Sequence, residues 1–463
     1  MSFEAPARAG SSGRGPEERA VSLEPDGRTA FSLTAMTPVP SAPTQPSPLP
    51  PPTTPPPGGL KRRLTLPYVV LYGLGVTVGA GIYVLIGEVI ARAGDHAPVA
   101  FLISGLVMLL PAACFAELTG RLPYAAAVAH FVEAGFGSRH LFLLVGLAVV
   151  AVGVVSSAAI ALGAAGYLGE LVDLPAPVLA VAAILTTGCV AVIGIRESVA
   201  IAGVLTLVEV GGLAAVVAGA LWAGADLPAQ ALASPPPSAD PALWGAILGS
   251  SLIAFFAFIG FEDIASIAEE TVAPQRTLAH GIFLTLALTL VIYFAVLLAA
   301  LASVPREALT DSTAPLAEVF AHTTGLSPVT IALIAVVATV NGIIVQMIMA
   351  SRVLYGLADR GALPGGLGTA LRAVHPATGT PVRATVLVVA LVLVLALAFP
   401  ITGLAEGTST ITLVVFMLAA AALIRIKRSG VPAPEGTVVV PGWVPWGAIL
   451  ACGALLVGGL AGG

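Results

Sequence analysis

Glycines interrupt the first long apolar stretch of the chain, and they carry its clearest chemical signal. The stretch runs from Leu66 to Ile90, and residues 78–82 in its middle read VGAGI. Glycine weakens a helix, and backbone freed inside a bilayer must be buried in protein or line a polar cavity. Two half-helices meeting there would offer main-chain N–H groups, which bind small anions. The pattern predicts a broken helix that holds a small ligand.

A second apolar stretch carries carboxylates beside another glycine. Phe258-Ile259-Gly260-Phe261 is followed directly by Glu262 and Asp263. Carboxylates this close to hydrocarbon must face a cavity, a partner or the membrane surface. This stretch is the sixth span and the first broken one is span one, so the two run in opposite directions. Paired broken helices of opposite orientation are typical of a five-plus-five inverted repeat.

The first glycine cluster has two other interpretations, of which one stays open and the other is excluded. Gly75 and Gly79 form a GxxxG pattern, which can simply allow close packing of two helices. A nucleotide-binding loop is excluded, because the cluster lacks the Lys-Ser/Thr of a P-loop and the spacing of GxGxxG.

The composition places these residues in a membrane protein. Of 463 residues, 57% are hydrophobic and 10% are charged, and the mean hydropathy is +1.00. A soluble protein carries about 25% charged residues. Runs of about 20 apolar residues predict eleven transmembrane helices. They lie at about 66–90, 97–119, 141–169, 176–194, 198–223, 243–267, 279–303, 327–357, 382–400, 403–425 and 443–462.

Basic residues give the orientation of these spans. With the N-terminus in the cytoplasm, fourteen of the sixteen Lys and Arg residues after the tail fall on the cytoplasmic side, and only Arg92 and Arg306 fall outside. This asymmetry is what the positive-inside rule requires. The cytoplasmic set is Lys61, Arg62, Arg63, Arg121, Arg139, Arg196, Arg276, Arg352, Arg360, Arg372, Arg383, Arg425, Lys427 and Arg428.

The segments between spans have recognisable characters. Residues 1–60 form a proline-rich tail, which we expect to be disordered and cytoplasmic. Residues 123–137 predict an amphipathic helix on the cytoplasmic side. Residues 305–327 predict either an external lid with helical periodicity or an ordinary loop. Cys114, Cys189 and Cys452 sit in separate apolar runs, so we expect packing roles and no metal site or disulfide framework.

The motifs resemble those of an amino acid permease of the amino acid–polyamine–organocation (APC) superfamily, near its cationic amino acid transporter branch. The matching segments are VGAGIYVLIG at 78–87, CFAELTGRLP at 114–123 and FFAFIGFEDIASIAEETVAPQRTLAHGI at 255–282. The resemblance covers about 61–462. It implies an all-α transporter core with inverted repeats at about 66–223 and 243–425, broken helices 1 and 6, and an extra helix at 443–462.

The resemblance also implies a site built mostly from main chain. The substrate carboxylate would bind the N–H groups of residues 79–82, namely Gly79, Ala80, Gly81 and Ile82. The ammonium would bind the carbonyls of Thr77, Phe256 and Ile259. Phe256 occupies the position of an aromatic gate, although a core or lipid-facing role is the alternative, and Glu262 lies where it could serve a cytoplasmic gate.

We expect Glu209 to couple substrate transport to an ion gradient. In the cationic branch a lysine follows an Arg-Glu-Ser motif, and here Arg196-Glu197-Ser198 is present but the matching position is Glu209. A carboxyl in mid-membrane is biased toward its neutral form, so Glu209 could carry a proton; cation binding and a structural hydrogen bond are alternatives. For Asn341 and Gln346 in the eighth span, interhelical hydrogen bonds are favoured over ligand contacts.

We therefore expect a secondary active amino acid transporter of the plasma membrane, driven by protons or by exchange. A neutral substrate of small to medium size is favoured, because no acidic residue marks the centre of either break. One rival is a transporter of polyamines or other organic amines, and another is a non-transporting amino acid sensor. No enzyme motif, cofactor, metal or nucleic-acid partner is expected.

Overall fold

The computed structural model describes residues 64–79, 81–122, 127–193, 199–236, 238–376 and 379–462. Within these ranges the chain is helical, and its β-structure is limited to one isolated bridge between Leu64 and Thr271. The predicted proline-rich tail lies outside the described residues. The all-α membrane fold predicted from the sequence is confirmed.

Seventeen α-helices follow one another along the described chain, with two short 3-10 helices at Gly94–His96 and Phe261–Glu270. The α-helices are α1 Leu66–Val78, α2 Gly81–Ala93, α3 Ala97–Arg121, α4 Ala127–Phe136, α5 Arg139–Gly169, α6 Ala176–Ile193, α7 Val199–Trp222, α8 Leu227–Ala233, α9 Pro241–Phe256, α10 Pro274–Ser303, α11 Arg306–Asp311, α12 Pro315–Thr324, α13 Val329–Asp359, α14 Gly365–Leu371, α15 Val382–Ala398, α16 Ile401–Arg428 and α17 Val444–Ala461.

Each predicted span coincides with one helix or with a pair of half-helices. Nine helical segments of the described chain are long and apolar enough to cross a membrane, whereas α1 and α15 are apolar but shorter. A multi-pass membrane protein follows from these segments. The number of crossings, eleven, stays a prediction.

Local sequence explains where several helices begin. Ser138 caps α5, where its side chain accepts a hydrogen bond from the Leu141 amide at 3.3 Å. Asp240 caps α9 in the same way, and Pro241 follows at the first helical position. Caps of this kind satisfy amides that have no partner inside the helix, and proline has no amide to satisfy there.

The long helices α5 and α13 pack along each other in the interior. Glycine makes the approach possible, because a Cβ atom at Gly153 would lie 3.0 Å from the main-chain oxygen of Gln346. Small residues at helix crossings are the usual way in which membrane helices pack without a hydrophobic driving force. Residues of both helices also line a cavity inside the bundle.

A buried carboxylate holds one end of the bundle together. Glu117 in α3 is fully buried, and its oxygens lie 2.8 Å from Arg121 Nε and 2.6 Å from Lys427 Nζ. Glu117 also accepts a hydrogen bond from the Val440 amide at 2.9 Å. Three elements, α3, α16 and the segment before α17, therefore meet at one charge.

The predicted amphipathic segment and lid segment both contain helices. The part of residues 123–137 that the structure describes includes α4, which packs on α5 and α16. Residues 305–327 contain α11 and α12, and α12 buries Leu316 and Phe320 against its neighbours. The segment after α10 is thus not an irregular loop; movement as a lid stays a prediction.

Cysteine placement matches packing roles in two of three cases. Cys114 and Cys452 are buried, whereas Cys189 is exposed on α6. Among the described residues no group of three or more His, Cys, Asp and Glu side chains is placed to hold a metal ion.

Candidate functional site

The first span is broken where its glycines predict. α1 ends at Val78 and α2 begins at Gly81; Ala80, between them, lies outside the described residues. The amides at the start of α2 have no partner inside the helix, so this end attracts negative charge.

The sixth span is broken as well. α9 ends at Phe256, the chain turns through residues 257–260, and the 3-10 helix begins at Phe261. Gly260 has φ +128°, a backbone conformation that glycine alone adopts easily. The Glu262 carboxylate accepts a hydrogen bond from the Gly260 amide at 2.8 Å. Glu262 therefore contacts the turn of the break through its carboxylate, and it is not among the residues that line the cavity described below.

The two breaks touch each other directly. A Cβ atom at Gly81 would lie only 2.4 Å from the Ala257 Cα atom, and one at Gly260 would lie 3.0 Å from the Val76 carbonyl oxygen. No side chain fits between the backbones at Gly81. The predicted pairing of the two broken helices is therefore a physical contact.

Tyr293 of α10 connects the same two breaks. Its hydroxyl lies 2.9 Å from the carbonyl oxygen of Thr77 and 2.9 Å from that of Ala257. The phenol has a single proton, so it donates to one of these carbonyls at a time or is shared between them, and it bridges the two breaks. The sequence reasoning missed Tyr293; a tyrosine inside an apolar span is a usable signal, because its buried hydroxyl requires a partner.

A narrow cavity lies at the junction of the breaks. Its volume is about 20 Å³, which is room for roughly one water molecule, so it must widen to admit a larger ligand. The lining residues are Gly75, Val76, Thr77, Gly81, Ser156, Ile160, Phe256, Ile259, Asn341, Gly342, Val345 and Gln346.

Four of the predicted binding residues line this cavity: Thr77, Gly81, Phe256 and Ile259. The side chain of Phe256 is 5% exposed, which excludes the lipid-facing alternative. Ile82 is fully buried on α2 and is not among the lining residues. The lining also includes residues from α5 and α13 that sequence reasoning did not assign to the ligand.

Unpartnered polar atoms surround the cavity. Thr77 Oγ1 and Gln346 Oε1 are buried and have no hydrogen-bond partner among the described residues. Buried polar groups are normally satisfied, and exceptions are expected where a ligand or water supplies the partner. The interhelical hydrogen bond favoured for Gln346 is not made by its carbonyl oxygen.

Glu209 lies next to the first break, beside Gly79. Its side chain is fully buried on α7, and the Asn341 amide of α13 faces its carboxyl without reaching the distance and angles of a hydrogen bond. A Cβ atom at Gly79 would lie 3.3 Å from Glu209 Oε2. Gly79 and Glu209 are both absent from the cavity lining, whereas Asn341, whose amide faces the Glu209 carboxyl, belongs to it. The Arg196-Glu197-Ser198 motif lies outside the described residues.

Two tyrosines fix the backbone around Glu209. Tyr83 Oη donates to the Glu209 main-chain oxygen at 2.9 Å, and Tyr167 Oη donates to the Tyr83 main-chain oxygen at 2.8 Å. These bonds tie α5, α2 and α7 together. Both tyrosines bond to main-chain oxygens, so the position of α7 at Glu209 is fixed without using the Glu209 carboxyl.

Comparison with known proteins gives a family match and several relatives. Residues 64–460 match the family described as amino acid permease. The chain is 31% identical over 395 residues to the vacuolar cationic amino acid transporter 2 of Arabidopsis thaliana, covering 80% of this chain and 60% of that protein. It is 25% identical over 418 residues to the branched-chain amino acid permease BcaP of Bacillus subtilis, covering 83% and 86%.

The lengths and folds of these proteins can be compared too. The chain spans 60% and 64% of the length of the plant transporters 2 and 3 that it matches. A crystal structure of a manganese transporter from Eremococcus coleocola aligns with a TM-score of 0.60 at 15% identity, covering 85% of this chain and 86% of that one. At this identity the likeness is one of fold.

Proposed function

Because this chain belongs to the amino acid permease family, we propose that it is a transporter, not an enzyme, and that it carries amino acids across a membrane. The observation that carries this proposal is the cavity where both broken helices meet, lined by free backbone and by unpartnered polar atoms. An α-amino acid carries an anion and a cation on one carbon, and a pair of helix breaks offers donors and acceptors for both.

The carboxylate of the substrate binds at the start of α2. Gly81 and Ile82 supply amides that the helix leaves free, and Gly79 and Ala80 extend this donor set. The dipole of α2 favours negative charge at the same point. Gly81 allows the approach because its backbone carries no side chain.

The ammonium group binds carbonyl oxygens of the breaks. Thr77, Phe256 and Ile259 all line the cavity, and a carbonyl oxygen has two lone pairs. The Thr77 oxygen can therefore accept from Tyr293 and from the substrate together. Phe256 closes over the substrate as a gate, and Glu262 acts at the inner gate by holding the turn at Gly260.

Transport proceeds by alternating access. The broken helices move against a scaffold formed by the remaining spans, as the proposed five-plus-five inverted repeat requires. The drive is a proton gradient or exchange, with Glu209 as the proton carrier. Contact between Glu209 and the break at Gly79 supports this role, because movement of α1 would change the surroundings of the carboxyl. We place the protein in the plasma membrane with its N-terminus in the cytoplasm.

The decisive experiment is uptake into proteoliposomes that contain the purified full chain. A panel of labelled amino acids and amines without a carboxylate is offered, with and without proton and sodium gradients. The proposal is supported if labelled amino acids are taken up and unlabelled amines do not compete with that uptake. Competition by amines would instead support a polyamine transporter, and binding without uptake or counterflow would support a sensor.

A further inference from the structure

The cavity has two walls of different chemistry. One wall consists of the broken helices, through residues 75–77, Gly81, Phe256 and Ile259. The other wall belongs to the intact helices α5 and α13. If the main-chain groups of the substrate bind the broken helices, its side chain must point toward α5 and α13.

The wall formed by α5 and α13 is polar but uncharged. It consists of Ser156, Ile160, Asn341, Gly342, Val345 and Gln346. A cationic side chain would find no counter-charge on it, and an unpaired charge in such surroundings is strongly unfavourable. The wall therefore favours a neutral side chain.

Hydrogen-bond capacity on this wall is uneven. The Ser156 hydroxyl donates to the Val152 carbonyl, so its proton is engaged and only acceptor capacity remains. Gln346 is 7% exposed, and its Oε1 atom has no partner among the described residues. By contrast, Thr339 on the same helix is satisfied, since its hydroxyl donates to the Ala335 carbonyl at 2.8 Å. Besides the amide N–H groups of Asn341 and Gln346, the wall thus carries two acceptor atoms, Ser156 Oγ and Gln346 Oε1, that can take a hydrogen bond from a ligand.

The geometry points to Gln346 as a specificity-determining residue whose Oε1 accepts a hydrogen bond from an O–H or N–H on the substrate side chain. This inference rests on the proposed function and narrows its substrate class to small, neutral amino acids with a donor in the side chain. An apolar side chain of equal size would bury Oε1 without a partner, which is the costly arrangement. Sites built to hydrogen-bond a substrate group reject analogues that lack it.

Threonine and valine provide the test, because they have nearly the same shape and differ in one hydroxyl. Uptake of each is measured in proteoliposomes for the wild type, Gln346→Met and Gln346→Asn. The wild type is expected to favour threonine in kcat/KM by about tenfold or more. Gln346→Met removes the acceptor and should bring the threonine-to-valine ratio close to one. Gln346→Asn keeps an uncharged amide with an acceptor oxygen and should retain part of the preference.

The possible results distinguish failure of this inference from failure of the proposed function. If the wild type transports amino acids but takes valine as well as threonine, the inference is wrong while the proposed function stands. Equal loss of both substrates in Gln346→Met also overturns it, because Gln346 would then serve the ammonium or the fold. If the wild type transports no amino acid in any gradient or in exchange, the proposed function itself fails.

Discussion

The hydroxyl of Tyr293 lies 2.9 Å from the carbonyl oxygen of Thr77, although 216 residues separate the two in sequence. The same hydroxyl reaches Ala257 in the other break. Its ring packs edge-to-face against Phe101 and Phe258, with centroids 5.8 Å and 5.3 Å away. One side chain therefore fixes the positions of the two interrupted helices relative to each other.

Removing this hydroxyl should weaken the site without disturbing the packing of the ring. In Tyr293→Phe two buried carbonyls lose their shared donor, which we expect to cost about 1 to 3 kcal/mol of stability. Uptake should fall by about tenfold, measured as kcat/KM in proteoliposomes. Tyr68 is 50% exposed, so Tyr68→Phe is the matched control. Equal activity of both variants would contradict the bridging role.

A methyl group at Gly81 should abolish transport, because it would collide with the backbone at Ala257. Gly211 in α7 has no neighbouring atom within 4 Å of the position that a Cβ atom would take, so Gly211→Ala makes the same chemical change in open space. We expect Gly81→Ala to show uptake at background level and Gly211→Ala to resemble the wild type. Normal uptake by Gly81→Ala would show that the two breaks separate without consequence.

Neutralising Glu209 should uncouple uptake from protons. The phenols of Tyr83 and Tyr293 and the Asn341 amide interact with its carboxyl. With the outside acidic, the wild type should accumulate substrate, whereas Glu209→Gln should only exchange it and show a flat pH profile. Glu318→Gln, at an exposed position of α12, is the control. A normal pH profile in Glu209→Gln would rule out the carrier role.

Loss of the Glu117 charge should destabilise the bundle. Glu117→Gln leaves Arg121 and Lys427 without their shared counter-ion in a site where the carboxylate is fully buried, which we expect to cost about 3 kcal/mol. Glu133→Gln removes the exposed pair with Arg360 and should change stability by less than about 1 kcal/mol. Thermal unfolding of both variants in detergent compares them, and similar melting temperatures would contradict this assignment.

Local features of the sequence predicted the helices and both breaks. Gly260 supplies a positive φ at the second break, Gly81 allows the two backbones to approach because it has no Cβ atom, and the length of an apolar run indicates a span directly. The opposite orientation of the two broken spans stays a prediction, which rests on counting the crossings between them. These features need no knowledge of which distant residues meet.

Features that depend on distant partners could not be predicted in this way. Nothing near Tyr293 in sequence indicates that it faces Thr77, and nothing near Gln346 shows that its oxygen lacks a donor. In the sequence Glu117 stands out only as part of a family motif, because its partners Lys427 and Val440 lie 310 and 323 residues further along. Such contacts are set by how the helices pack.

The same separation has a consequence for biosynthesis. When α3 leaves the ribosome, the residues that will neutralise and cap Glu117 have not been translated, and only Arg121 is at hand. The end of α3 must therefore stay hydrated at the membrane boundary until α16 has been inserted. Closure around Glu117 is then one of the last steps of assembly, so ribosomes stalled before Lys427 should yield chains with a protease-sensitive α3 end.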